Sequence, residues 1–368
     1  MQLQHQDILR APFPFFGGKS RVASQVWERF GDVRNYVEPF AGSLACLLGR
    51  PHPPQIETVN DKDCYISNFW RALQHAPDEV AQWADWPVNE ADLTARHRWL
   101  VKQVDFRNRM MLDPSYYDAK IAGWWVWGLS AWIGSGWCKV DSEHVPMKRP
   151  HLTSQGVNSQ QVQIHSKRPH LKGNSGIFSQ QVQVDDSHSH LELDRGGLGK
   201  RPHLGRYGSG IHAKNRHVVV TQENQSSLYP YMEALATRLR RVRVCCGEWD
   251  RVLGPSPTYI QGVTGVFLDP PYPVESLRYP DLYSVDDGTL AHKCQEWAIQ
   301  NGQNPLLRIA LCGYDGIWDM PEYWTVFKWK TQGGYAGMGN TSQENRFRER
   351  IWFSPHCLKG EQLSLWSS

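Results

Sequence analysis

The chain has 368 residues, 40% of them hydrophobic and 21% charged, with a net charge of +3 at neutral pH. That mix is ordinary for a soluble globular protein, and the length leaves room for two domains. No run of about 18 apolar residues exists, so no membrane span is expected.

Near the start, "PFPFFGGKS" places Phe15, Gly17, Gly18 and Lys19 together. The glycines let backbone approach a ligand and Lys19 brings a cation, although the spacing is not that of a phosphate-binding loop. A bare glycine turn is the plainer alternative. The stretch before it, "MQLQHQDILR", has no apolar secretory core, so a cytoplasmic location is expected. "RNYVEPFAGS" runs a short apolar stretch into a turn containing Gly42, and "LACLLG" opens a helix that Gly49 ends. "IETVND" reads as a second strand ending on Asp61, followed by the helical "YISNFWRALQ". An acid there suits ribose hydroxyls, and a helix N-cap is the alternative.

Residues 76–140 read as mostly helical and hold Trp124, Trp125, Trp127, Trp132 and Trp137 of the seventeen tryptophans. Core packing is the favoured role for this cluster. Residues 141–217 differ: "KRPHL" occurs three times and "SQQVQ" twice, at uneven spacing. Eleven Lys/Arg against six Asp/Glu give this segment a local charge of +5, and it carries nine of the fifteen histidines. Short units without a regular period do not make a solenoid. They predict tandemly duplicated, flexible loop or hairpin segments with little core of their own.

"SLYPYMEALATRLR" reads as an amphipathic helix and "RVRVCC" as a strand leading to Glu248 and Trp249. Then come the strand "TGVFLD", the helix "LAHKCQEWAIQN", the strand "LLRIALCG" and a hairpin from "WTVFKWK" to "RFRERIWF". Strands alternating with helices predict an α/β fold with a mostly parallel sheet and an antiparallel edge. Both ends of the chain build that sheet. The eight cysteines show no CxxC pair and no regular spacing, which favours reduced core thiols over disulfides or zinc. In "VFLDPPYPVES", Pro270 and Pro271 stop the strand directly after Asp269. The carboxylate and Tyr272 are thereby held at a strand's carboxyl end, where open α/β sheets keep their ligands.

Taken in this order, the segments resemble the Dam-like class of DNA adenine-N6 methyltransferases. "FPFFGGKS" is similar to that family's N-terminal cofactor motif, "YVEPFAGS" to its FxGxG motif, "VND" to its second acidic motif and "LDPPY" to its catalytic tetrapeptide. The likeness covers roughly residues 11–75 and 225–355. This chain departs in having Phe15 where Trp is common, Ser43 and Leu44 after Gly42, and Glu248 for the more usual Asp.

The resemblance implies a Rossmann-like, S-adenosylmethionine-dependent methyltransferase sheet formed by residues 1–75 and 218–368, with residues 76–217 as an inserted target-recognition region. It assigns the cofactor to Phe15, Gly17, Gly18 and Lys19, to Glu38, Phe40 and Gly42, to Asp61, and to Glu248 and Asp269. Asp269, Pro270 and Tyr272 become the catalytic residues, with no metal. Double-stranded DNA is the implied partner, contacted by Arg149, Arg168 and Arg201 of the repeats. The protein is expected to be monomeric, in a bacterial or phage setting. An RNA or protein amide methyltransferase, or a non-catalytic DNA-binding relative, stands as the alternative.

Overall fold

The computed structural model describes residues 9–13, 19–132, 137–138, 228–271, 289–316, 318–329 and 349–359. Its centre is a sheet of strands β1 (Asn35–Glu38), β2 (Ile56–Asp61), β3 (Arg243–Cys246), β4 (Thr264–Leu268), β5 (Leu307–Tyr314), β6 (Thr325–Lys328) and β7 (Glu349–Phe353). They lie in the order β3-β2-β1-β4-β5-β7-β6. The first five run parallel, and β7 is antiparallel to both β5 and β6. The sheet is therefore mostly parallel, as predicted, but its antiparallel strand is the penultimate one.

Chain order reverses between β1 and β4. From β1 the chain winds outward through β2 to β3, and from β4 it winds the other way to β5. Sheets of this kind open a crevice at the carboxyl ends of the two strands flanking the reversal.

The central strands β4 (TGVFL) and β5 (LRIALCGY) are almost wholly apolar because helices cover both faces of the sheet there. Tyr36, Val59, Phe267, Ala310, Cys312, Ile351 and Phe353 line one face, within the larger core. Val37, Val266, Leu268, Ile309, Leu311 and Trp352 line the other, against α9 (Leu290–Asn301). Gly265 interrupts β4 for a steric reason. A Cβ there would lie 2.8 Å from the Phe30 ring.

On the first face sit α1 (Ala23–Phe30), α2 (Ala45–Leu48) and α3 (Cys64–His75). The reading of the sequence does not include α1. Its signal is the stripe Ala23, Val26, Trp27 and Phe30, all buried, closed by Gly31 at φ 60°. The start of α3 is capped by Asp63, which accepts from the Tyr65 N–H at 2.9 Å.

The Trp-rich segment forms α4 (Pro77–Ala84), α5 (Glu90–Val101), α6 (Val104–Leu112) and α7 (Ala119–Ala131), with α4 and α7 packed on α3 and α4 on α8 (Leu228–Leu239). Trp125, Trp127 and Trp137 are buried, and Trp124 and Trp132 pack partly buried against the same core. The Trp127 indole N–H donates to the Trp86 carbonyl at 2.8 Å, and the Arg96 guanidinium lies 4.1 Å from the Trp127 ring centroid. Core packing thus accounts for these tryptophans. All eight cysteines are free thiols, six of them buried. Among the described residues no helix is long and apolar enough to cross a membrane.

Candidate active site

The site begins with the turn after β1. Gly42 adopts φ 45° and Leu44 φ 54°, so the chain folds sharply back before α2. Three bonds tie this turn to its neighbours. The Ala41 N–H donates to the Asn60 carbonyl at 2.8 Å. The Gly42 N–H donates to Asp61 Oδ2 at 3.0 Å, and the Gly42 carbonyl accepts from the Trp70 indole at 2.9 Å.

Asn60 ties three strand ends together. Its amide donates to the Pro39 carbonyl at 3.1 Å and to the Gly247 carbonyl at 3.0 Å. Phe40 stacks on Trp249 with ring centroids 6.1 Å apart and planes 20° apart, an apolar wall beside the turn. Glu248 is 56% exposed and takes Lys62 at 2.6 Å.

Asp61 closes β2. Its second oxygen accepts from the Asp63 N–H at 2.9 Å. The N-cap of α3 is Asp63, so capping does not explain Asp61. Burial pushes the Asp61 pKa up to about 7, with the Asp63 charge adding and the two N–H bonds opposing.

The other half of the site is set by the period-2 alternation of strands. Asp269 follows β4 in phase with Phe267, Glu38 ends β1 in phase with Tyr36, and Glu349 starts β7 in phase with Ile351 and Phe353. All three therefore meet the first face of the sheet, where Lys19 enters from its short 3-10 turn. The Lys19 ammonium lies 2.9 Å from Asp269 Oδ1 and 3.9 Å from Glu349 Oε2. Lys19 is 4% exposed and Asp269 20%. Burial works against the ammonium, but Asp269 and then Glu349 hold its pKa above the ordinary lysine value.

Glu38 is buried and accepts from the Tyr36 hydroxyl at 2.9 Å. Burial pushes its pKa up to about 8, the Tyr36 bond opposes, and the Asp269 charge adds. A carboxyl that keeps its proton longer when folded stabilises the fold below its unfolded pKa. That contribution is lost as pH rises through the folded pKa. Stability should therefore fall between about pH 5 and about pH 8, by up to about 1.4 kcal/mol per pH unit from this group alone. Glu38→Gln should flatten that slope. Denaturant melts at several pH values check this, and an unchanged slope would show that Glu38 does not carry it.

The structure thus brings Lys19 and Asp269 together, with Glu38 electrostatically coupled to Asp269, and sets Phe40, Gly42, Asp61 and Glu248 at the neighbouring strand ends. Pro270 is buried behind Asp269. Phe15, Gly17, Gly18, Tyr272, Arg149, Arg168 and Arg201 lie outside the described residues. Glu349, Asn60 and Trp70 are site residues the sequence reading does not name. Glu349 had a signal: it is the one acid in "RFRERIWF", at the head of an apolar strand. No protein-family model matches this chain, and no curated protein matches it.

Proposed function

We propose that the protein transfers a methyl group from S-adenosylmethionine to adenine N6 in duplex DNA. The observation that carries this reading is the meeting of the Gly42 turn, Asp61 and Asp269–Pro270 at one rim of the sheet, where chain order reverses. The donor set fits such a cofactor. Asp61 is a half-buried acceptor at the end of β2, placed to take ribose hydroxyls, the Gly42 turn carries no side chain of its own there, and Phe40–Trp249 offers a face for a base.

Bound beside these residues, the cofactor would supply an electrophilic methyl group, its bond to sulfur breaking with the pair left on sulfur as the N6 lone pair bonds to carbon. The protein's task is to make a poor nucleophile react. The adenine amine lone pair is delocalised into the ring. Asp269 accepts one amine hydrogen and the Pro270 carbonyl the other, which draws the nitrogen toward tetrahedral geometry. The same two acceptors stabilise the positive charge that develops on nitrogen, and the carboxylate then takes the proton that leaves it. The proline pair holds them in one frame, so much of the gain is positioning. The amine is inaccessible in a paired duplex, so the base must flip out, for which Tyr272 would provide a stacking face.

The test is direct. Purified protein is incubated with methyl-labelled cofactor and, in parallel, unmethylated duplex DNA, RNA or cell protein, and the digested products are analysed by mass spectrometry. N6-methyldeoxyadenosine is expected. Label found only in RNA or in protein amides, or no transfer at all, overturns the assignment.

Two further outcomes follow from it. Asp61→Ala should weaken S-adenosylhomocysteine binding by at least tenfold in calorimetry, since a hydrogen bond to a charged group is worth roughly 1.5–3 kcal/mol. Unchanged affinity would leave Asp61 only its bonds to Gly42 and Asp63. Replacing Arg149, Arg168 and Arg201 together with Ala should weaken DNA binding across sequences. It should also flatten the salt dependence by about three units of slope, because each neutralised phosphate contributes roughly 0.9. Wild-type affinity and slope would remove these arginines from the interface.

A further inference from the structure

Beyond Asp269 stands a second carboxylate, Glu349, with no role in the chemistry described so far. It heads β7, which is held between β5 and β6 by backbone pairing, with Glu349 opposite Tyr314. The next residue, Arg350, bonds Asp315 at 2.7 Å and the Glu349 carbonyl at 2.9 Å, so the backbone carrying this carboxylate is fixed. Glu349 is buried, and among the described residues its Oε2 finds no hydrogen-bond partner. Lys19 Nζ lies 3.9 Å from that oxygen, about 1 Å beyond bonding distance.

A buried charged acceptor without a hydrogen bond is costly and calls for an explanation. The explanation lies in what Lys19 does meanwhile. Its ammonium occupies Asp269 Oδ1 at 2.9 Å. In the proposed reaction Asp269 must accept from an amine that becomes cationic. An ammonium on the same carboxylate weakens it as an acceptor and opposes the developing charge. A shift of about 1 Å would move Lys19 onto Glu349, satisfy the orphaned oxygen and release Asp269.

We propose that Glu349 is a positioning residue that receives Lys19 when the substrate amine claims Asp269. The inference rests on the methyltransferase reading. Glu349 touches no reacting atom and acts through Lys19 alone. In the resting protein Lys19 neutralises Asp269, and in the loaded site it neutralises Glu349. The buried cation keeps a partner throughout. The direction of the Glu349 pKa agrees: burial raises it, Lys19 opposes, and the Asp269 charge adds.

The test compares Glu349→Gln, Glu349→Asp, Lys19→Met and the Lys19→Met/Glu349→Gln pair in single-turnover methylation of duplex DNA, with thermal melting of each. Glu349→Gln should slow the transfer step by on the order of tenfold, the worth of one charge-assisted bond made only in the loaded state. Affinities for DNA and S-adenosylhomocysteine should stay within about twofold. Glu349→Asp keeps the charge and should be clearly faster than Glu349→Gln at similar melting temperature. Adding Glu349→Gln to Lys19→Met should cost nothing further, because the intermediary is already gone. The inference is overturned if Glu349→Gln transfers at the wild-type rate, if the Asp and Gln variants are equally slow, or if the pair loses the product of the two single effects. A wild-type protein that methylates no DNA overturns the underlying reading instead, and the Glu349 role with it.

Discussion

Asp269→Ala is expected to abolish methyl transfer while S-adenosylhomocysteine and duplex DNA still bind. The carboxylate's contribution is greatest when the amine nitrogen carries positive charge, so its removal raises the barrier far more than it weakens binding. Loss of one such preorganised acceptor costs about a hundredfold to a thousandfold in rate. The fold should tolerate the change. Lys19 keeps a carboxylate within 3.9 Å in Glu349, so no buried cation is stranded. Single-turnover rates beside calorimetry decide the matter. Turnover above about a tenth of wild type would remove Asp269 from the mechanism, given the size of the acceptor term.

The largest expected loss of stability comes from Trp70→Ala. Trp70 is fully buried in α3. Its ring packs 4.9 Å from Phe69 and 5.8 Å from Phe13 by centroid, and its indole holds the Gly42 carbonyl. Truncation should cost about 3–5 kcal/mol through lost burial and an unfilled cavity. It should also loosen the turn, so S-adenosylhomocysteine affinity should fall with it. Trp70→Phe separates the two effects. It keeps most of the packing and loses the indole bond, with a cost of about 1 kcal/mol. If Trp70→Phe binds S-adenosylhomocysteine as tightly as wild type, the indole bond does not set the turn's geometry for ligand.

What the sequence made legible was local. "IETVND" became β2 over Ile56–Asp61, and "LAHKCQEWAIQN" became α9 over Leu290–Asn301. In each case period and stop signals lie within a dozen residues. The strand ends bearing Asp61 and Asp269 were legible for the same reason, since an acid after an apolar run marks a strand's carboxyl end.

Pairings across the fold were not legible. That Lys19 meets Asp269 and Glu349, or that Asn60 bridges Pro39 and Gly247, depends on which strands become neighbours, and no local pattern encodes that. The helix Ala23–Phe30 was within reach, because its stripe is helical in period. Asp61 shows the limit most clearly. The sequence left a ligand acceptor and a helix cap both open for this acid, and only the structure shows that Asp63, two residues on, is the cap.

The position of β1 bears on how the protein must be made. One neighbour, β2, follows closely in sequence, but the other is β4. The Asn35 side chain bonds Thr264 across a separation of 229 residues. At a synthesis rate of about 5–20 residues per second, β1 must wait roughly 10 to 45 seconds on the ribosome before β4 exists to pair with it. Throughout that interval a strand destined for full burial presents an open row of N–H and C=O groups along one edge, the template on which wrong pairings and aggregates form. Completion of the candidate site is thus a late event in the life of the nascent chain. Yield in a foreign host should respond to holdase chaperones and slower growth more than to changes in the residues that touch substrate.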